Sequence, residues 1–84
     1  MDFYVILGGY KGLSEKYNKI ISPIFNNYDE AATHKTIYGV FSLSISSGII
    51  KKLDINTIDI NTLDKICHVD FLDDFIKYLR INGK

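Results

Sequence analysis

Apolar and polar residues alternate most regularly between Lys35 and Asn56. Ile37, Phe41, Leu43 and Ile45 fall on one side of a period of two, with Gly39 in the gap. Thr36, Tyr38, Val40, Ser42, Ser44 and Ser46 fall on the other. Such a period marks a strand with one buried face. Ser47-Gly48 interrupts it, and Ile49 to Ile55 resumes it, with Ile49, Leu53 and Ile55 on the same side as Lys51. Two strand-like runs joined by Ser-Gly predict a β-hairpin, because glycine supplies the positive φ that tight turns use. At helical spacing, Ile37, Val40, Phe41, Ser44, Gly48 and Ile49 share a face instead, which gives a mainly α alternative. Serine and glycine are weak helix formers, so the strand is favoured.

The rest of the chain supplies partners for that hairpin. Phe3 to Leu7 is a short apolar run closed by Gly8-Gly9, and its aromatic and β-branched content predicts a buried strand. After Ser14, a plausible N-cap, Tyr17, Ile20, Ile21, Ile24, Phe25 and Tyr28 form a helical stripe. Pro23 is expected to kink or break that helix, and Asn26-Asn27 to end it. Tyr28 to His34 is expected to be irregular, apart from one helical turn at Asp29 to Ala32. Further on, Asn61 is placed to cap a short helix that buries Leu63, Ile66 and Cys67. Asp70 is placed to cap a longer one with Phe71, Leu72, Phe75, Ile76 and Leu79 as its apolar stripe. Asp73 and Asp74 early in that helix, Lys77 and Arg80 late, and Asn82-Gly83 as a stop all suit the helix dipole. The pentapeptide Asp54-Ile-Asn-Thr-Ile is echoed by Asp59-Ile-Asn-Thr-Leu, which implies a shared local role rather than a repeat architecture. The predicted order is β-α-β-β-α. The expected fold is a single small α+β domain over 1–84, two-layered, with a three-stranded mainly antiparallel sheet and two amphipathic helices on one face.

Composition narrows the function classes. At 84 residues the chain has a small margin of stability. Ten cations balance ten acids, so binding to nucleic acid through phosphates is not expected. The charge is uneven, however: from Asp54 to Asp74 there are six aspartates and one lysine. Fourteen isoleucines and nine lysines are a bias of AT-rich genes, such as those of many phages and mobile elements. A single cysteine, Cys67, forms no internal disulfide, which suits a reducing, cytoplasmic location. The longest uncharged run, Thr36 to Ile50, is too short and too polar to span a bilayer.

Candidate chemistry is sparse. Gly8-Gly9-Tyr10-Lys11-Gly12 lies between a predicted strand and a predicted helix, where glycine-rich loops cradle phosphates. It matches neither the dinucleotide fingerprint nor a Walker loop, although Gly9 and Gly12 have the spacing of a KH-type tetrapeptide. Gly9, Tyr10, Lys11 and Gly12 therefore define an alternative site for nucleic acid or a phosphate ligand. Cys67-His68 suggests a nucleophile or a metal ligand, but neighbours on a helix point about 100° apart, and one Cys with two His is too few for a structural zinc site. Cys67 is better read as a small buried hydrophobe. No catalytic signature is present, so no enzyme activity, cofactor or metal is expected.

The acidic segment remains. Its bland reading is a solvated loop with helix starts. Its functional reading is a surface complementary to a basic cleft, of the kind found on nucleases and other nucleic-acid-handling proteins. On that reading the chain is a non-catalytic inhibitor, resembling in role an immunity protein, an antitoxin or a phage-encoded antagonist of a toxin nuclease. Asp54, Asp59, Asp70, Asp73 and Asp74 would contact the partner. Self-pairing of an exposed strand edge into a homodimer is a further expectation.

Overall fold

The chain is described by a computed structural model over residues 2–8 and 19–82. The apolar run near the start of the sequence becomes strand β1, Asp2–Gly8, in which every residue but Asp2 is buried or half-buried. A near-continuous apolar run is what a strand needs when both its faces are covered. β1 is the middle strand of a three-stranded antiparallel sheet, with β2 (Lys19–Ile20) on one side and β3 (Ile49–Asp54) on the other. The α+β class and the antiparallel three-stranded sheet are as expected from the sequence. The elements that build them differ in two places.

The first difference is the hairpin. Only its second run is a strand: β3 pairs with β1, Phe3 opposite Leu53 and Leu7 opposite Ile49. The first run lies in helix α1 (Tyr28–Tyr38), which also makes Tyr28 to His34 continuously helical where the pattern predicts an irregular segment, then in a turn and a single helical turn α2 (Leu43–Ser46). The serines explain the change. Ser42 Oγ caps α2 by accepting from the Ile45 N–H at 3.3 Å, while Ser46 Oγ and Ser47 Oγ donate to the Leu43 carbonyl at 3.1 and 2.7 Å. These local side-chain bonds compete with a strand ladder. α1 itself starts at Asn27, whose side chain accepts from the Glu30 N–H at 2.9 Å, while the Glu30 carboxylate reaches back to the Asn26 N–H at 3.3 Å. This is a variant of the capping box, with the carboxylate reaching the amide just before the N-cap instead of the N-cap's own.

The second difference is the stripe after Ser14. Ser14 and Tyr17 lie outside the described residues; the segment from Lys19 to Phe25 is extended, not helical. Ile20 pairs with Leu7, and Phe25 exchanges both backbone hydrogen bonds with Tyr4 at 2.9 Å. Pro23 decides this. It has no N–H and holds its predecessor extended. At this point in the ladder a side chain serves as the acceptor: buried Ser22 accepts the Ile6 N–H on Oγ at 2.9 Å and donates to the Pro23 carbonyl at 2.9 Å.

Beyond β3, two 3₁₀ turns (Ile55–Thr57 and Ile60–Thr62) lead into a short helix α3 (Leu63–Ile66) and the long helix α4 (Val69–Asn82). Successive strand residues point to opposite faces, and the helices divide accordingly instead of sharing one face. Phe3 meets Phe75 and Tyr78 of α4 edge-on, each at 5.5 Å, and with Val5, Ile20, Ile55, Leu63 and Cys67 these form the main core. Tyr4 and Ile6 point the other way. The Tyr4 ring meets Tyr28 at the start of α1, and Gly48 lies so close to Ile6 that an added Cβ would sit 2.6 Å from its Cγ2. The molecule is therefore layered helix, sheet, helix. No helix among the described residues is long and apolar enough to cross a membrane.

Candidate functional site

The paired pentapeptides build the same turn twice. Asp54 accepts the Asn56 N–H on Oδ1 at 3.0 Å, and Thr57 Oγ1 donates to the Asp54 carbonyl at 2.7 Å. Asp59, Asn61 and Thr62 repeat both bonds at 2.9 and 3.1 Å. Aspartate favours such turns because its side chain can mimic a backbone acceptor. Asp54 and Asp59 are thus engaged in local geometry. The Thr62 position that precedes α3 has no side-chain cap, so Asp59 in the preceding turn takes the place expected for Asn61.

α4 arranges its own acids differently. With about 100° per residue, Asp70, Asp73, Asp74, Lys77 and Arg80 project away from the buried Phe75, and all five are exposed. The N-cap role expected of Asp70 belongs to His68, whose Nδ1 accepts the Asp70 N–H at 3.2 Å; Asp70 lies within the first turn. The Asp70 carboxylate also stands 3.5 Å from Nδ1. That nitrogen serves one contact or the other: its lone pair accepts the amide, or a proton on it faces the carboxylate.

The five acidic positions therefore do not form one patch. Asp70, Asp73 and Asp74 occupy a single turn. Asp59 lies beside Leu79 and Arg80 on the wall of a cleft at the far end of α4. A rise of 1.5 Å per residue puts that end about 14 Å from Asp70 along the axis. Asp54 closes β3 opposite Asp2. Lys77 and Arg80 balance the later half of the outward face, so the acidic character is concentrated at its beginning.

Of the alternative loop, Gly9, Tyr10, Lys11 and Gly12 lie outside the described residues; Gly8 ends β1 and is buried. Cys67 sits in the main core and His68 outside it, so thiol and imidazole diverge. Burial pushes the Cys67 thiol up, and nearby Lys19 pulls weakly the other way, which leaves the sulfur protonated and unreactive at neutral pH. Among the described residues no group of three or more His, Cys, Asp or Glu side chains is placed to hold a metal ion.

His34 is stacked between aromatic rings, 5.1 Å from Phe25 and 4.5 Å from Tyr38. Burial lowers its pKa from the ordinary 6.5. The folded chain favours the neutral ring, so on acidification the unfolded chain takes up this proton first. His34 therefore contributes its full stability above that ordinary value and loses it as the pH falls through the folded one. The urea midpoint is expected to drop between about pH 7 and pH 5, and His34→Gln to flatten that slope.

One surface was hidden by the strand reading. Ile37 and Tyr38 at the end of α1, Val40 and Phe41 in the turn, and Leu43 at the start of α2 form an apolar ridge. Val40, Phe41 and Leu43 are 78%, 85% and 80% exposed. Val40 also lines an open groove of about 730 Å³ between α1 and β3; Ile49, opposite Leu7, is exposed on the other face of the sheet. The nearest cation, Lys35, donates to the Ser46 carbonyl at 2.9 Å, and the rest of the ridge lies in the uncharged run Thr36 to Ile50. Ile37, Phe41 and Leu43 are the residues that the predicted hairpin would have buried. One signal marks the true arrangement in the sequence: Asn27 three residues before Glu30, a pattern that starts a helix.

Comparison with known proteins identifies no counterpart: no family model matches the chain, and no curated protein and no solved structure matches it.

Proposed function

We propose that this protein is a non-catalytic, cytoplasmic binding protein that blocks a partner protein by contact through the acidic beginning of α4. The observation behind this reading is the single turn that exposes Asp70, Asp73 and Asp74 on a helix anchored in the core by Phe75. Asp70 and Asp74 stand four residues apart, and like charges at that spacing oppose a helix by a few tenths of a kcal/mol. A docked cationic surface relieves that repulsion. Complementary potentials also steer encounter and raise association rates. The partner so selected carries a basic cleft, as nucleases and other nucleic-acid-handling enzymes do, and the inhibitor would occupy it in place of phosphates. Asp59 and Asp54 would take part only in a contact that spans the length of α4.

The test is to capture partners on the immobilised protein at low salt and measure their association rates. With the Asp70→Lys, Asp73→Lys, Asp74→Lys triple variant the on-rate is expected to fall about 10- to 100-fold, and raising the salt should slow the wild type toward the variant. Equal on-rates for the two proteins would count against this surface.

A further inference from the structure

We infer that the apolar ridge of Ile37, Tyr38, Val40, Phe41 and Leu43 is a self-association surface, and that its occupant is the same ridge of a second copy of this chain. The first argument is area. Aromatic side chains bury about 150–250 Å² each and aliphatic ones somewhat less, so at their observed exposures these five residues leave roughly 700 Å² of surface to be covered. The largest apolar patch on a typical monomer is about 300–600 Å². A standard interface buries about 800 Å² per partner, so one ridge against its two-fold mate is of the size that a stable dimer needs.

Charge supports a second copy over other occupants. Lys35, which donates to the Ser46 carbonyl, keeps its charge beside the ridge, but the ridge residues themselves are all uncharged and give an acidic partner or a lipid headgroup nothing to pair with. The ridge presents no acid for a basic partner, since the run Thr36 to Ile50 is uncharged. A neutral apolar surface is complementary to itself, and a two-fold contact uses each of its residues twice. The chain as a whole is also neutral, with ten cations and ten acids, so two copies meet without net repulsion.

The layering sets the geometry of the pair. α1 and α2 lie on one side of the sheet and α4 on the other, so a dimer joined through the ridge keeps both acidic turns facing outward. The inference does not depend on what those turns bind.

Sedimentation velocity of the full chain from about 1 to 300 µM tests it. The mass is expected to rise with concentration from 9.6 kDa toward twice that value. Phe41→Asp with Leu43→Asp should weaken association by about 100-fold or more, as loss of central hot spots does. Both residues are exposed, so the far-UV spectrum of the variant should match that of the wild type at low concentration. A wild type that stays monomeric throughout overturns the inference. So does a variant that associates equally well. A monomer that instead co-sediments with neutral phosphatidylcholine vesicles through Phe41 and Leu43 also overturns it, and assigns the ridge to a membrane surface.

Discussion

Phe75→Ala is expected to cost about 3–5 kcal/mol, the range for deleting a buried aromatic ring. The ring is 1% exposed and meets Phe3 at 5.5 Å with an interplanar angle of 74°, the edge-to-face geometry that aromatic pairs prefer. It also fixes α4 against the sheet, because Phe75 is the one fully buried residue of that helix. A small domain has a total stability of about 5–15 kcal/mol, so this one substitution removes a large share of it. In a chain of this size each kcal/mol moves the melting temperature by about 4–8 °C, so a fall of at least ~12 °C is expected by circular dichroism. Phe75→Leu, which keeps most of the volume, should lose much less. Equal losses for the two variants would show that the ring's packing is not what holds the helix.

Ser22→Ala should cost about 1–3 kcal/mol, although it deletes a single oxygen. The reason is the Ile6 N–H, which Ser22 Oγ accepts at 2.9 Å inside the protein. Ile6 is completely buried, so water cannot replace the lost acceptor. Urea denaturation measures the loss, and hydrogen exchange locates it. The Ile6 amide should exchange markedly faster in the variant, while the Tyr4 and Phe25 amides, which bond each other's carbonyls, keep their protection. Unchanged stability together with unchanged exchange at Ile6 would mean that this amide finds its acceptor elsewhere.

These two positions also show how much was legible beforehand. β1 was readable from its short apolar, β-branched run closed by glycines, β3 from its alternation, and α4 from the clearest stripe in the chain, to which Phe75 belongs. The repeated Asp-Ile-Asn-Thr pentapeptide announced a shared local role, and it folds as the same turn twice. Ser22 was not readable. Its neighbours Ile20, Ile21, Ile24 and Phe25 fit a helical period, and only tertiary pairing with β1 turns the segment into an edge of the sheet. Between Thr36 and Ser46 the alternation is real, but the serines use their hydroxyls to cap and close turns, so it never becomes a ladder. The same substitution of roles explains the candidate surfaces. The acids of α4 could be placed from the helix phase alone. The ridge around Phe41 could not, because its exposure results from the failure of a strand that the pattern favours.

The position of β1 at the centre of the sheet has a consequence for how the chain assembles. Phe3 stands opposite Leu53 of β3, and its ring is closed over by Phe75 and Tyr78. A strand made before the other elements is completed by elements made much later, and the intervening loop must close before any of that burial rewards it. Such non-local pairing slows folding relative to helical bundles of similar size. β1 can pair early with β2 and Phe25 on one edge, but its other edge is completed only by β3 and the Phe3 face only by α4, so most of its burial depends on distant parts of the chain.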